Sequence, residues 1–457
     1  MTSVDLKPSI GVIGFFQIIY FFSAIFFLAY IYSLISPEIL ILDTSAYEML
    51  SKFLFFICSL LFLSLSLIFK KISISKTSFL LFLFMLFVLL RSLVDFNGMG
   101  EFISYAISPG GGILIHTMIG SLLVAQQSYL TNYFNPRKVR KILNLIFVIT
   151  LIIVFSVMFQ ILQNINESIF LLDILKGYYQ APGKALIMLI IFLQVSIINL
   201  NLHALKTTFA DSIYLIIAVI SLFCSQGFGS NTAFIIILFM TINFFIFKTL
   251  INKVSISTLL SLPVPERVGL SFFSRSFQNI LKNQLLVLSL ILIFMLVIAF
   301  NFFYEYLALF RIFSFGDFSS YDSLTSRYEL LSNFVPQAEV GMLFGNLASD
   351  LITTGSGTYP HSFSLSLLTH TGLFGTIIFL IFFINYVNSL FKLKLKNHET
   401  INNAKAQKYF LIITMAMIFI YSNLATFFSW VPLWFFFGCT INMFNFQTYE
   451  KSINPSS

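Results

Sequence analysis

The sequence predicts an all-α polytopic membrane protein of about twelve transmembrane helices with one large non-cytoplasmic loop containing short helices. Three observations carry this prediction. Of 457 residues, 58% are hydrophobic and only 10% charged, whereas a soluble chain covers itself with roughly 25% charged residues. Mean hydropathy is +0.93, so lipid must solvate much of the surface. Apolar runs of about 17–25 residues, the length that crosses a hydrocarbon core, recur along the chain.

In order, the predicted spans are 12–35, 53–69, 77–94, 113–130, 142–165, 185–202, 208–225, 231–247, 284–303, 363–391, 409–428 and 430–447. The first follows Lys7 and is too long for a signal-peptide core, with no small-residue cleavage site after it, so it reads as a retained helix. The seventh holds Asp211 near its start, and almost nothing joins the last two. Between the third and fourth spans, an apolar segment from 102 is broken by Pro109-Gly110-Gly111-Gly112; it is a re-entrant stretch or a surface loop. The chain therefore divides into 1–303 (nine helices), 304–362 (the large loop) and 363–457 (three helices and a cytoplasmic tail).

Orientation follows from lysine and arginine, which favour cytoplasmic loops. With the N-terminus inside, all 26 basic residues except Lys52, Arg91, Lys176, Lys184, Arg311 and Arg327 fall on the cytoplasmic side. Both termini are then cytoplasmic. The basic residues punctuate the spans and form no soluble face, so the net charge of +8 does not imply nucleic acid. The 59 phenylalanines suit lipid-facing helices, but mutational drift toward AT-rich codons explains them equally, and no function is read from them. Cys58, Cys224 and Cys439 lie in apolar runs and read as buried thiols without a disulfide or metal framework.

The large loop carries the most informative residues. Ser326 and Glu329 fit a capping box, and Leu330, Leu331 and Phe334 form one apolar face, so a short helix on the membrane surface is expected. Arg327 would open that helix. A cation there opposes the helix dipole, and an anion between Arg327 and the free N–H groups would reverse the sign; a solvated arginine paired with Glu329 or Asp322 is the plainer alternative. The stretch Gly355-Ser356-Gly357-Thr358-Tyr359-Pro360-His361-Ser362 leads into the tenth span. Pro360 suits a first helical position, which puts His361 in the first turn, where a helix N-terminus favours the neutral imidazole a general base needs. The alternative is a histidine that only hydrogen-bonds the loop.

Arg91 ends the third span and is expected to pair with Asp95. Lys184 begins the sixth span after Gly177-Tyr178-Tyr179-Gln180-Ala181-Pro182-Gly183, and snorkelling accounts for it equally well. Arg311 lies between Phe310 and Phe313 without a clear partner, and His116 and His370 read as helix-packing residues. No phosphate-cradling loop, zincin motif or carboxylate set with metal spacing occurs.

The combination of many spans, Ser326-Arg327 in a large loop, the Gly355–Ser362 motif and then Leu367-Leu368-Thr369-His370-Thr371-Gly372-Leu373-Phe374-Gly375 resembles the O-antigen polymerase and O-antigen ligase superfamily. The segment 177–186 is also similar to that family's glycine–aromatic–proline lead into a helix. The architecture resembles the family along the whole chain; the motifs cover about 60 residues, a span set by the loop and helix start.

The resemblance implies a metal-independent glycosyltransferase of lipopolysaccharide biosynthesis, without a cofactor, at the periplasmic face of the bacterial inner membrane. Donor and acceptor would be glycans on undecaprenyl diphosphate, and a chain-length regulator protein is a further expected partner. By match, Arg327 holds the diphosphate and His361 is the catalytic histidine. Arg311, Arg91, Lys184 and Tyr359 are expected to bind diphosphate or glycan. Many members, ligases above all, carry a further arginine at the start of a middle helix. Here that place reads Ser225-Gln226-Gly227-Phe228-Gly229-Ser230-Asn231-Thr232-Ala233, with no arginine. Its loss favours a polymerase over a ligase, with Arg311 first among the replacements. A flippase or other transporter is the competing class, but transporters place charges near the midplane of their spans, and these spans are almost free of charge.

Overall fold

The computed structural model describes residues 10–35, 44–68, 75–95, 111–133, 135–163, 180–202, 207–260, 331–355, 360–392 and 401–453. These residues are almost wholly helical. In chain order the helices are α1 (Ile10–Ile35), α2 (Thr44–Ile68), α3 (Lys76–Asp95), α4 (Gly112–Tyr133), α5 (Pro136–Gln163), α6 (Gln180–Leu202), α7 (Thr208–Gly227) and α8 (Asn231–Leu260). Two short helices, α9 (Phe334–Val340) and α10 (Ser349–Thr354), follow, then α11 (Phe363–Phe391), α12 (Ile401–Ala425) and α13 (Val431–Ile453). Ten of them are long and apolar enough to cross a membrane, and α13 adds a shorter apolar stretch, Val431–Met443. The predicted span 284–303, most of the 102–112 segment, the Ser326–Glu329 capping box and the side chains of Arg311, Arg327 and Tyr359 lie outside the described residues.

The helices extend past the apolar runs that announce them. The second span, predicted from 53, begins at Thr44; the fifth, from 142, begins at Pro136; the sixth, from 185, begins at Gln180. Hydropathy marks the part of a helix that lipid solvates. The backbone ladder continues into polar residues because its N–H and C=O groups still need partners there.

α6 is the hub of the bundle, packed by α1, α4, α7, α8 and α13. In its apolar window 94% of residues are buried, against 22% for α2, which faces outward. Because lipid tails are as apolar as leucine, close packing and polar contacts hold such helices together. The Gln194 amide donates to the Tyr214 hydroxyl (2.6 Å) and to the Met240 carbonyl (2.9 Å), joining α6 to α7 and α8. Gln127 of α4 donates to the Ser196 carbonyl, and Asn199 to Ser128. α4 and α13 cross so closely that a Cβ on Gly438 would stand 2.1 Å from the Thr117 carbonyl oxygen.

Charges gather at the helix ends. At one end lie Lys76, the exposed Arg137, Lys138, Arg140 and Lys141, and Lys408, whose ammonium donates to the Phe391 carbonyl. Asp211, the acid inside the seventh span, is neutralised at this basic end by Lys248 (2.7 Å) and bonded by Thr207. The opposite end holds the other groups of interest.

Candidate functional site

The site begins with a break in α11. Gly372 has φ 64° and ψ −173°, a conformation open essentially only to glycine, so the helix is interrupted after its first two turns. An interrupted helix strands N–H and C=O groups, which inside a membrane protein need other partners. The turn after α9 supplies them. The Leu373 N–H donates to the Met342 carbonyl (3.0 Å) and the Phe374 N–H to the Leu343 carbonyl (2.9 Å). The Asn346 N–H donates back to the Thr369 carbonyl (3.3 Å). The backbones touch: a Cβ on Gly372 would lie 2.2 Å from the Gly345 nitrogen, and one on Gly345 (φ 76°) would lie 2.2 Å from the His370 carbonyl oxygen.

This junction carries an ionic cluster. Arg91, at the end of α3, pairs with Asp95 as its i,i+4 spacing predicts, and its guanidinium also donates to the Gly345 carbonyl (2.8 Å). Its Nε is buried without a partner among the described residues. Asp95 in turn accepts from the Leu347 N–H (2.8 Å), so one acid fixes both the arginine and the inserted turn. His370 is more than a packing residue. Its Nδ1–H donates to the Ser366 carbonyl (2.7 Å), which turns Nε2 toward the Asp350 carboxylate at 3.9 Å. Asp95 lies within electrostatic range of the same imidazole. Neither Asp350 nor its approach to His370 is marked in the sequence, because the two belong to segments joined only through the break. The histidine of the Thr-His-Thr-Gly motif was the available signal. His116, by contrast, does pack helices: it donates to Gly112 of its own helix and accepts from the Tyr30 hydroxyl (2.6 Å).

His361 lies just before α11. The helix starts at Phe363, with Ser362 in the extended cap conformation, and the Ser362 N–H folds back onto the Pro360 carbonyl (2.7 Å). Pro360 and His361 therefore precede the first turn and do not occupy it, which corrects the sequence expectation. The tight 360–362 turn uses the N–H that a helix beginning at Pro360 would have left for other partners. The Asn423 side chain of α12 takes the Ser364 N–H (3.0 Å), and the Ser366 hydroxyl accepts from the Phe428 N–H (2.7 Å), anchoring this mouth to the turn between α12 and α13.

Lys184 is partly buried just past the first turn of α6, with its ammonium 5.8 Å from the centre of the Phe427 ring. No carboxylate among the described residues pairs with it. Its neighbour Gly183 abuts the α7–α8 turn, where a Cβ would meet the Ser230 hydroxyl at 2.5 Å. That turn is the arginine-free 225–233 segment. The Ser230 N–H returns to the Ser225 carbonyl, Gly229 takes φ 68°, and the Ser230 hydroxyl caps Ala233 of α8. Arg91 on α3, Lys184 on α6 and His361 just ahead of α11 thus share one end of the bundle.

No family model, curated protein or solved structure matches the chain.

Proposed function

We propose that the chain is a glycosyltransferase that polymerises undecaprenyl-diphosphate-linked oligosaccharide repeat units into O-antigen or a similar surface polysaccharide. It would act at the periplasmic face of the inner membrane, with both termini cytoplasmic. The observation that supports this reading most is the gathering of Arg91, Lys184 and His361 at the end of the bundle away from the basic loops. The Asp211–Lys248 pair belongs to the basic end, so it offers no midplane ion path of the kind a transporter needs.

In the proposed reaction the bond between the anomeric carbon and the diphosphate oxygen breaks, and a bond to an acceptor hydroxyl oxygen forms. His361 takes the hydroxyl proton, and the diphosphate leaves with the electron pair. Fixed cations lower the barrier because they face charge that develops as the bond breaks. Arg327 takes this role by resemblance, with Arg311 as a further cation, while Tyr359 would hydrogen-bond the diphosphate or glycan. Lys184 is a second candidate cation, since its turn abuts the segment where the resembling family carries its extra arginine. Both substrates are held in the membrane plane by their lipids, which suits a site at a helix mouth.

Replacing Arg327 or His361 with Ala in the native host, and running the surface glycan on a gel, tests the reading. Polymer should fall by roughly 100-fold or more, as loss of a general base or charge stabiliser does, leaving lipid A core with a single repeat unit. Bare core with accumulated lipid-linked polymer would instead indicate a ligase. A normal ladder from both variants would refute the site.

A further inference from the structure

The turn that mends α11 presents a surface of its own. Met342, Leu343 and Phe344 are 67%, 62% and 55% exposed, three consecutive large apolar side chains pointing out of the protein. On a loop standing in water this would be an unusual place for them. Their level along the bundle is fixed by α3 and α11, which run antiparallel. Thr77, beside Lys76 at the basic end, bonds Ser389 and Asn385; Phe84 packs on Phe379, and Phe87 on Phe374. Arg91 then reaches Gly345, and Phe344 packs on Phe374. Fifteen residues of helix from Lys76 to Arg91 rise about 22 Å, short of the ~30 Å hydrocarbon thickness. The exposed apolar surface of α3 continues beyond Arg91 through Leu93 and Val94.

The backbone of the turn gives an independent indication. Non-helical backbone is tolerated at membrane depth only where protein satisfies its polar groups. The carbonyls of Met342, Leu343 and Gly345 accept from Leu373, Phe374 and Arg91, and the Gly345 N–H donates to Gly341. The segment thus has an apolar exterior, with the Met342 and Leu343 carbonyls bonded inward to α11.

We propose that 342–344 is inserted shallowly into the lipid leaflet at this end of the bundle, with acyl chains as the partner of the three side chains. The surface is continuous with the lipid-facing flank made by Leu90, Leu93, Phe374 and Ile377. The proposal concerns the turn alone and holds or fails independently of the glycosyltransferase reading.

The test uses the full chain with Cys58, Cys224 and Cys439 replaced by Ala, reconstituted in phosphatidylcholine vesicles. A single cysteine is placed in turn at 342, 343, 344 or at the exposed Glu339, and labelled with an environment-sensitive fluorophore. Labels at 342–344 should emit at shorter wavelength than the label at 339. They should also be quenched several-fold more by lipids spin-labelled near the headgroup than by aqueous iodide. Iodide quenching at 342–344 equal to that at 339 would overturn the proposal. Protection from both quenchers would overturn it too, showing a protein surface, whether a second copy or another part of this chain, on the turn. As a check free of cysteine chemistry, Phe344→Trp in the otherwise unaltered chain should lose fluorescence in brominated lipid; no loss relative to the parent chain counts against insertion.

Discussion

α6 and α11 are both apolar helices of membrane-crossing length, yet they behave as opposites. α6 is continuous, sits at the centre of the bundle and satisfies its backbone by itself; its polar side chains, Gln194 and Asn199, reach neighbouring helices. α11 is broken at Gly372 and depends for its hydrogen bonds on residues 342, 343 and 346. The first is held by packing around it; the second, packed by α3 and α12, also needs one inserted turn. Titratable groups follow the same division: Arg91, Asp95, Asp350 and His370 collect where the backbone is interrupted.

If that contrast is correct, the largest effect should come from Gly372→Ala. Its Cβ would collide with backbone, and its φ and ψ exclude other residues. A loss of about 3 kcal/mol or more is expected, read as a lower midpoint of thermal unfolding in detergent and as new protease cleavage near 341–346. A variant as stable as the parent would remove the distinction between the two helices.

Next in size is Asp95→Ala. It leaves Arg91 without its carboxylate and Leu347 without its acceptor in a pair whose side chains are only 20% and 3% exposed. About 2–3 kcal/mol should be lost, and pairing the change with Arg91→Met should restore much of it. Failure of the double variant to recover would mean that the Gly345 contact, not the ion pair, holds the turn. The smallest effect should come from α6 itself. Gln194→Leu removes two interhelical hydrogen bonds but keeps the packing, for a cost of about 1 kcal/mol in a denaturant titration. A larger loss would show that the hub relies on polar contacts as heavily as α11 does.

The same contrast explains what could be read from the residues alone. Apolar run length finds α6, because everything that defines it lies within a continuous stretch of residues. It also finds α11, but only as one unbroken span over 363–391. A positive φ at Gly372 leaves no trace in hydropathy, and the turn that answers it lies elsewhere in the chain. Arg91 with Asp95 was legible because partners four residues apart share a helix face. Asp350 with His370 was not, since only the break brings them near. At the mouth of α11, Pro360 suggested a helix start that Ser362 takes instead.

The close crossing of α4 and α13 bears on how the protein is made. Gly120 and Gly438 lie far apart in the chain, and each receives the other helix's backbone too tightly for a side chain. A ribosome feeding this chain into the membrane must have passed Gly438, more than 300 residues after Gly120, before that seam can shut. Until then, the wall of the hub that α13 will cover stays open to lipid or to a chaperone. Bulkier residues at either glycine should therefore show first as degraded, half-assembled protein in the cell, before any activity can be assayed.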